Sequence, residues 1–343
     1  MILVLNCGSQ SIKWKLFRRE SKSILKLEKE NKIDIFKVKD YKNTLIKELK
    51  KIDKKHLKII GHRFVSGGDK FRDPLVITKS NLKQLKKFNK FAPLHNPFNI
   101  LGIEIAQKAF PSSKQIAVFD TGFYKDLPPK SYIYALPKNI REKFGFKRLG
   151  FHGISHKFAA EQASKQIKKP FKKLKIITCH LGGGSSITAI KNGKAMETSM
   201  GFTPLEGLMM MTRTGDIDSG IVLELVGKYS VKKTSQILNH ESGIKGLCGE
   251  DKMLKVLKRK DKKAKLALDI FVYKIKKYIG SYYAILDGCD LLVFTGTIGY
   301  GSSKIRNMIC QHLGILKNTK ILAIKTDEEL EIAMEINKLK KYE

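Results

Sequence analysis

The chain carries the same local layout twice, and this repeat is what most constrains its fold. Residues 1–5 form an apolar run, which leads into a Gly/Ser turn at 6–11 and a segment at 12–17 where lysine alternates with apolar residues. Residues 174–178 form a second apolar run, followed by a Gly/Ser turn and a returning apolar segment at 187–191. The Asn-Gly pair at 192–193 then predicts a hairpin turn. Each layout predicts a buried strand, a turn and an antiparallel partner strand. We therefore expect an α/β protein built as two related halves.

Chain length and apolar spacing predict two domains of mixed α/β structure. At 343 residues the chain is long for one hydrophobic core. Beyond the repeated layout, apolar periodicity predicts helices at 41–55, 81–91 (capped by Ser80), 98–110, 264–286 and 327–339, and strands at 57–64, 115–119, 291–295 and 321–324.

Hydropathy and cysteine usage indicate the compartment. No apolar run in the sequence is long enough to cross a membrane. The opening MILVLNCGSQS lacks a positive leader and a small-residue cleavage site, so we expect a buried strand there rather than a signal peptide. The five cysteines are odd in number and show no CxxC spacing, which favours reduced thiols in a cytoplasm.

The net charge is unusually high. Lysine and arginine number 67 against 32 acidic residues, which gives a formal net charge of +35. Nucleic acid or an anionic membrane is the partner that such a charge suggests first. The lysines are spread over many predicted helical faces, however, without zinc-finger spacing, an RNP-like aromatic pattern or a separate basic tail. We therefore expect a solvated surface with no nucleic-acid or membrane partner, which attracts anionic substrates in a salt-dependent way.

The segment GFTPLEGLMMMTRTGDID at 201–218 sets an arginine and two aspartates among small residues. Arg213 offers a planar, always charged fork of donors that suits carboxylate or phosphate. Asp216 and Asp218 lie two residues apart, so a short extended run would point both carboxylates the same way. The segment predicts a site that handles phosphate and a metal ion, and a surface ion pair is the alternative.

Two glycine-bearing turns are candidate phosphate cradles. In NCGSQSIK, at 6–13, Gly8 and the hydroxyls of Ser9 and Ser11 follow a buried strand. Gly182–Gly184 with two serines allows a close backbone approach after the second buried strand. Neither turn matches the P-loop or the GxGxxG fingerprint, and an ordinary hairpin turn remains the alternative for each.

Polar residues at the ends of other predicted strands extend the candidate site. Arg63 ends a strand and could clamp an anion, while Val65 and Leu94 could line a small apolar pocket. Asp120 follows a strand that otherwise reads as core, so it is either a cap for the turn or a catalytic group.

Two histidines in LGFHGISH are four residues apart. His152 and His156 could bind a metal if the segment were helical. Because Gly153 indicates the start of a helix and no glutamate occupies the zinc-protease position, a zinc site is the disfavoured alternative.

Taken in order, these segments resemble the acetate kinase family nearly from end to end. NCGSQSIK is similar to the family's NxGSSSxK, and HRFVSGGDKF to its HRxVHGGxxF. The remaining matches, in chain order, are APLHNPFN, VFDTGFYKDLP, LGFHGISH, HLGGGSS, SMGFTPLEGLMMMTRTGDID, LLVFTGTIG and TDEEL. The chain is somewhat shorter than the usual family member.

The resemblance implies a fold and a reaction. The fold is that of the acetate and sugar kinase, Hsc70 and actin superfamily: two related domains of the actin-like ATPase (ribonuclease H-like) type with an interdomain active-site cleft. The implied boundaries are 1–122 plus 329–343 for the acyl side and 123–328 for the nucleotide side. The implied reaction transfers the γ-phosphate of ATP to acetate, giving acetyl phosphate and ADP reversibly with Mg²⁺, for which Mn²⁺ can substitute. A cytoplasmic homodimer is also implied.

The resemblance also implies roles for individual residues. Arg63 and Arg213 hold the acetate carboxylate and the charge on the transferring phosphoryl group, His152 donates a hydrogen bond to that group, and Asp120 orients the substrate or the metal shell. Asn6 and Glu328 position Mg²⁺. The methyl pocket consists of Val65, Leu94, Phe151 and Pro204. The nucleotide site consists of Ser9, Ser11, Lys13, His180, Leu181, Gly182, Gly183, Gly184, Asp251, Lys252, Met253, Thr297, Ile298, Gly299, Tyr300 and Gly301.

The departures from the family pattern cluster on the nucleotide side. The family's HLGNG reads HLGGG here, which removes an asparagine at Gly183. Its GGIGEN reads GTIGYG at 296–301, and the DxR of the adenosine pocket corresponds to Asp251–Met253. We therefore predict that the chemistry is retained while nucleotide affinity or choice has shifted, toward weak ATP binding, another nucleotide or pyrophosphate. A propionate-using kinase and a catalytically impaired binding protein are the alternatives.

Overall fold

The computed structural model describes residues 1–9, 11–21, 24–35, 37–93 and 95–339. They form two compact units, which we call the first and the second unit. The first unit comprises Met1–Lys125 and the segment from Asp327 onward, and the second comprises Asp126–Thr326. The assignment of an acyl side and a nucleotide side to separate domains stays a prediction.

The strands of the described chain are β1 (Ile2–Cys7), β2 (Ser11–Arg19), β3 (Leu25–Asp34), β4 (Ile59–Phe64), β5 (Leu75–Val76), β6 (Lys114–Phe119), β7 (Lys175–Leu181), β8 (Ser185–Lys191), β9 (Lys194–Thr198), β10 (Leu291–Thr295) and β11 (Lys320–Ala323). The helices are α1 (Tyr41–Leu49), α2 (Lys79–Lys86), α3 (Asn96–Ala109), α4 (Pro129–Tyr132), α5 (Lys138–Phe144), α6 (Gly153–Gln166), α7 (Ser219–Lys228), α8 (Val231–Gln236), α9 (Gly243–Cys248), α10 (Met253–Val256), α11 (Lys262–Leu286), α12 (Gly296–Gly299), α13 (Ser303–Cys310) and α14 (Glu328–Lys338). Among the described residues, no helix is long and apolar enough to span a bilayer.

The sheet of the first unit has the order β3-β2-β1-β4-β6-β5. Strand β1 is buried along its whole length, because it pairs antiparallel with β2 on one side and parallel with β4 on the other. Strand β6 runs parallel to β4. The carboxyl ends of β1, β4 and β6 therefore meet at one edge of this sheet.

The sheet of the second unit repeats this arrangement. Its order is β11-β10-β7-β8-β9, with β7 antiparallel to β8 and parallel to β10, and β10 parallel to β11. Numbered within each unit, both sheets share the order 3-2-1-4-5, and β5 is an added edge strand of the first. The predicted internal repeat and α/β fold class are confirmed. The predicted Asn-Gly turn joins β8 to β9, with positive φ at both Asn192 and Gly193.

Helices cover each sheet. In the first unit, Leu5 and Ile12 pack into one cluster with Leu45 of α1 and Ala106 of α3. On the other face, a Cβ at Gly61 of β4 would lie 2.5 Å from the Cδ1 of Ile336, so glycine permits the close approach of α14. This packing places the first residues of α14 near the strand ends.

In the second unit, the 25-residue helix α11 buries its apolar stripe on the sheet. Phe271, Ile275 and Ile279 lie in one cluster with Ile177 and Ala189. The spacing of 3.6 residues in this stripe is what the sequence predicted.

Several elements differ from the prediction, and the following are examples. Helix α2 begins at Lys79 because Thr78, not Ser80, forms the cap: its hydroxyl accepts from the N–H of Asn81, whose side chain accepts from the N–H of Thr78. The helix predicted at 41–55 ends at Leu49. Strand β3 was not predicted, because its sequence LKLEKENKID is mostly charged and solvent-exposed.

Candidate active site

A buried asparagine of α3 holds the ends of two strands in the first unit. Asn99 donates its Nδ2 to the carbonyl of Cys7 (2.8 Å), and its Oδ1 accepts from the N–H of Val65 (3.0 Å). Cys7 ends β1 and Val65 follows β4, so this one side chain fixes the backbone beside Asn6 and Arg63. It acts as a structural brace for the polar cluster described next.

Arg63 lies at the centre of that cluster. Its guanidinium forms a two-point ion pair with Asp120, with Nη2 2.6 Å from Oδ2 and Nε 3.2 Å from Oδ1. Its Nη1 lies 3.0 Å from the Oε2 of Glu328. Arg63 stands near the end of β4 and Asp120 directly after β6, so parallel pairing of these strands brings the two side chains together.

Asn6 joins the same cluster from the end of β1. Its Nδ2 donates to the Oε2 of Glu328 (3.1 Å) and to the Oε1 of Glu329 (2.7 Å). Its Oδ1 accepts from the Nη1 of Arg63 at 3.4 Å. The structure thus brings together Asn6, Arg63, Asp120 and Glu328, which the sequence had singled out, and adds Glu329.

Burial and ion pairing have opposite effects on the pKa values of the side chains in this cluster. Burial lowers the pKa of Arg63, but the carboxylates of Asp120 and Glu328 more than offset this and raise it. Burial raises the pKa of Asp120 to about 6, against the opposing pull of Arg63. Burial and the neighbouring Glu328 also raise the pKa of Glu329. The charge of Arg63 is therefore committed to carboxylates of its own unit.

The predicted phosphate turn after β1 is closed by its own backbone. The N–H of Gly8 donates to the carbonyl of Ser11 at 3.0 Å, and Ser9 lies within this turn. Lys13 pairs with Asn6 across the strands and acts on the carboxylate of Glu329, lowering its pKa against the larger effect of burial. Phosphate contacts for these residues stay a prediction.

The second glycine turn, Gly182–Gly184, is bordered by several predicted site residues of the second unit. A Cβ at Gly184 would lie 3.4 Å from the Nε2 of His152 and 3.6 Å from the Nη1 of Arg213. A Cβ at Gly182 would lie 3.3 Å from the Oγ1 of Thr297 and 3.9 Å from the Nε2 of His180. An imidazole pair, a guanidinium and a hydroxyl thus converge on one Gly-rich turn.

Arg213 differs from Arg63 in having no carboxylate partner among the described residues. Its Nη1 donates to the carbonyl of Pro204 at 3.3 Å and lies 3.8 Å from the sulfur of Met210. Burial lowers its pKa, and among the described residues no acidic side chain opposes this effect. A half-buried, unneutralised guanidinium is suited to an anionic ligand.

Among the described contacts, Asp216 and Asp218 bond to groups other than Arg213, and the predicted phosphate and metal site of this segment stays a prediction. Asp216 accepts from the N–H of Gly207 (2.8 Å) and the hydroxyl of Tyr278 (2.6 Å). Asp218 caps α7, accepting from the N–H of Gly220 at 2.7 Å. Positive φ at Gly215 turns the chain between the arginine and the aspartates.

The histidines near the turn bond to hydroxyls. The rings of His152 and His180 stack with centroids 4.3 Å apart. His180 Nδ1 lies 2.7 Å from the hydroxyl of Ser155, and His152 Nδ1 lies 2.9 Å from that of Ser186. The described chain contains no group of three histidine, cysteine or acidic residues placed to hold a metal.

The residues of the predicted methyl pocket belong to different units. Val65 is buried in the first unit, and Phe151 is buried in the second. Pro204 of the second unit accepts from Arg213 through its carbonyl. Leu94 lies outside the described residues.

Several residues predicted to bind nucleotide have side chains in the core of the second unit. Leu181, Met253 and Ile298 are buried in its main apolar cluster, so only their backbone could serve a ligand. Asp251 and Lys252 are exposed and donate their N–H groups to Glu250.

The loop at 299–301 is held by an arginine of α13. The Nη1 of Arg306 donates to the carbonyls of Gly299 (2.9 Å) and Tyr300 (2.6 Å). Gly301 packs against the carbonyl of Thr297, where a Cβ would lie only 2.4 Å away. Tyr300 itself is exposed. No acidic or amide side chain replaces the family's Glu and Asn in this loop.

Sequence reasoning missed Glu329, Asn99 and Ser186, and it considered His156 only as a possible zinc ligand. Glu329 directly follows a predicted ligand, and Asn99 lies in the quoted motif APLHNPFN, so the signal was present for both. Ser186 of β8 contacts the ring of His152, which lies 34 residues earlier in the chain. Only the fold reveals such a contact.

The two related units, each built on a 3-2-1-4-5 sheet, define a two-domain α/β protein of the actin-like ATPase class. The predicted fold class is thereby confirmed, and comparison with known proteins identifies the family. The acetokinase family model matches residues 1–338, and the chain belongs to this family.

Individual relatives agree with this assignment. An acetate kinase of Carboxydothermus hydrogenoformans is 40% identical over an alignment 390 positions long, which covers 97% of this chain and 98% of the relative. A crystal structure of Porphyromonas gingivalis acetate kinase matches with a TM-score of 0.86 and 32% identity, covering 99% of each chain. A propionate kinase of Francisella tularensis matches with a TM-score of 0.85 and 36% identity, covering 97% of this chain and 98% of that one.

Proposed function

We propose that this protein is an acetate kinase, which transfers the γ-phosphate of ATP reversibly to acetate and so forms acetyl phosphate and ADP. One observation carries the proposal: Arg213 presents a guanidinium without a described carboxylate partner beside Gly184 and His152. Family membership supplies the acceptor, a carboxyl group.

Phosphoryl transfer depends mainly on positioning and charge stabilisation, and the second unit offers tools for both. Arg213 would balance negative charge on the transferring group, and His152 would donate a hydrogen bond to its oxygens. Backbone N–H groups of Gly182–Gly184 would bind phosphate oxygens, as the open glycine turn permits.

The first unit would hold the acetate carboxylate through Arg63. Acetate carries no proton at neutral pH, so the reaction needs no strong general base, and Asp120 would serve to orient Arg63. Val65, Leu94, Phe151 and Pro204 would surround the methyl group. Such a pocket discriminates only about 10–200-fold against one methylene, and one structural relative is a propionate kinase. Propionate is therefore the alternative substrate.

The residues around Asn6 fit a magnesium ion. Mg²⁺ prefers hard oxygen ligands and usually combines one or two carboxylates with substrate phosphates. Glu328 and Glu329 each present a carboxylate oxygen to the Nδ2 of Asn6. These three residues would hold the ion, which would neutralise phosphate charge, and Mn²⁺ would substitute for it.

An exposed apolar helix supports a homodimer. Helix α7, SGIVLELVGK, has no buried residue, and Leu223 is 73% exposed. Ile221, Tyr229 and Val231 extend the same exposed apolar surface. Leu223→Glu should raise the dissociation constant of the dimer in sedimentation experiments, and Lys232→Glu is the matched control.

The five cysteines carry no disulfide, which fits a cytoplasmic protein.

The first experiment measures phosphoryl transfer in both directions with Mg²⁺. One arm supplies acetate or propionate with ATP, GTP or pyrophosphate and traps the acyl phosphate with hydroxylamine. The other supplies acetyl phosphate with ADP, GDP or phosphate. We expect turnover with the adenine pair; turnover only with another donor would place the change at Asp251–Met253 and Gly296–Gly301. No turnover in folded protein would indicate a binding protein instead.

A further inference from the structure

The loop at 199–206, which follows β9, supplies an oxygen acceptor for the guanidinium of Arg213. The carbonyl of Pro204 accepts from the Nη1 of Arg213 at 3.3 Å, and the sulfur of Met210 lies 3.8 Å from the same nitrogen. The guanidinium borders the glycine turn at Gly184, where we expect the phosphoryl group to bind. The position of this loop therefore helps to determine where the guanidinium lies.

An arginine with a largely buried side chain joins the two ends of this loop. The Nη1 of Arg148 donates to the carbonyls of Thr198 (3.0 Å) and Ser199 (3.3 Å), where the loop begins. Its Nη2 donates to the Oε1 of Glu206 at 2.6 Å, where the loop ends. Burial lowers the pKa of Arg148, but the carboxylate of Glu206 helps to offset this and raise it. The charged guanidinium thus holds both ends at once.

A tyrosine holds the middle of the loop. The hydroxyl of Tyr134 accepts from the N–H of Phe202 at 2.8 Å and donates to the Oε2 of Glu206. The direction follows because a backbone N–H can only donate, which leaves the proton of the hydroxyl for the carboxylate. Burial and the neighbouring Glu206 raise the pKa of Tyr134, so the hydroxyl keeps this proton. Glycine at 201 permits the approach, since a Cβ there would lie 2.2 Å from the hydroxyl.

The same loop is bonded to the segment that leads to His152. The carbonyl of Gly201 accepts from the N–H of Leu149 at 3.0 Å and from that of Gly150 at 3.3 Å. These two residues directly precede Phe151 and His152. The loop therefore connects the segment of the predicted phosphoryl-binding histidine with the oxygen that accepts from the site arginine.

We infer that Arg148, Tyr134 and Glu206 are positioning residues for the reaction. They form a clamp on this loop, and the clamp holds the carbonyl of Pro204 against the guanidinium of Arg213. None of the three side chains contacts that guanidinium among the described residues, so each acts on it through the loop. The inference deepens the proposed function, on which its kinetic readout rests.

The direct test is the ¹⁵N spectrum of arginine-labelled full-length protein, in which Arg213→Lys identifies the signals of Arg213 by their loss. Tyr134→Phe removes one hydroxyl from the clamp and leaves every charge in place. We expect the Arg213 guanidinium signals to shift in Tyr134→Phe and also in Glu206→Gln, which preserves the shape of the carboxylate. Tyr273→Phe, whose residue is 62% exposed, is the matched control and should leave them unchanged. Unshifted Arg213 signals in folded Tyr134→Phe and Glu206→Gln would overturn the inference.

The kinetic test is a double-mutant cycle on acetyl phosphate formation. Tyr134→Phe should lower the kcat of the wild type about 10–10²-fold, as a small displacement of a group at the reacting centre does. In Arg213→Ala the same change should have almost no further effect, because no guanidinium is left to position. Equal fold losses in both backgrounds would contradict the inference, since a general structural role predicts them. If the wild type forms no acetyl phosphate, the proposed function fails, and the Arg213 signals then decide whether the clamp exists.

Discussion

The two units of this molecule present their arginines in opposite ways. Arg63 of the first unit forms ion pairs with two carboxylates, Asp120 and Glu328. Arg213 of the second unit touches a carbonyl and a thioether but no described carboxylate. The contrast indicates that Arg63 contributes to the stability of its unit, whereas no described carboxylate neutralises the guanidinium of Arg213.

The equivalent turns of the two sheets show the same contrast. The turn after β1 is closed by a hydrogen bond from Gly8 to Ser11 and lies beside the carboxylate cluster. The turn after β7 consists of three glycines surrounded by imidazole, guanidinium and hydroxyl groups. One repeated topology thus supports a negative, self-paired site in the first unit and a positive, open one in the second.

The largest effect is expected from Arg63→Ala, which would leave Asp120 and Glu328 buried without their counter-charge. Removing one partner of a buried pair costs about 3–5 kcal/mol. Urea unfolding should show this loss together with a collapse of turnover. Arg18→Ala, which removes a pair with Glu28 at the surface, is the control. Unchanged stability in Arg63→Ala would remove the proposed structural role.

Arg213→Ala should separate activity from stability. No carboxylate is left unpaired, so we expect the free energy of unfolding to change by less than about 1 kcal/mol. Turnover should fall about 10²–10³-fold, as when a donor to a transition-state charge is removed. A loss of stability as large as that of Arg63→Ala would contradict the proposed difference between Arg63 and Arg213.

The acid stability of the first unit should depend on His62. Burial lowers the pKa of this imidazole to about 4, below the ordinary value near 6.5. The unfolded chain therefore binds more protons, so the stability that His62 contributes is complete above pH 6.5 and is lost as pH falls toward 4. Between pH 7.5 and 5 the loss is about 2 kcal/mol.

His62→Gln should flatten that part of the pH profile of unfolding, because a neutral amide cannot take up the proton. His240→Gln in the second unit serves as the control. An identical slope in wild type and His62→Gln would show that other groups govern acid unfolding.

Glu328→Gln should raise the Mg²⁺ concentration that gives half-maximal turnover by about tenfold. The carboxylate at the start of α14 would lose its charge while the amide preserves its shape. Glu335→Gln, on the same helix and paired with Lys338, is the matched control. An unaltered Mg²⁺ titration would exclude Glu328 from the metal site.

The smallest effect is expected at the glycine turn. Gly184→Ala would place a methyl group 3.3 Å from the ring of His152, where a phosphate oxygen is expected to bind. We expect the KM of the nucleotide to rise several-fold. Gly183→Ala, whose Cβ would meet no described atom within 4 Å, should leave it unchanged. Equal effects of both substitutions would place the phosphate elsewhere.

Local patterns in the sequence predicted the strands, turns and helices that depend on interactions between residues close in the chain. Strand β1, the turn at Asn192 and the apolar stripe of α11 follow from residue period and turn chemistry. Arg63 and Asp120 were predictable as strand-end residues, and their pairing then follows from parallel neighbours. Strand β3 escaped prediction because an edge strand needs no apolar alternation.

The sequence did not predict which side chains bond to each other. Asp216 looked like a partner for Arg213 because the two are close in the chain, but Gly215 turns it toward Tyr278. Glu329 enters the cluster around Asn6 only because α14 packs on the distant strand β4. Such pairings depend on packing between segments hundreds of residues apart, which no local pattern records.

The open surroundings of Gly183 have a consequence for engineering. A Cβ added here would meet no described atom within 4 Å, so the position can accept a larger side chain without displacing a described neighbour. The asparagine of the motif that this turn resembles can therefore be introduced by one substitution, with no compensating change among the described residues.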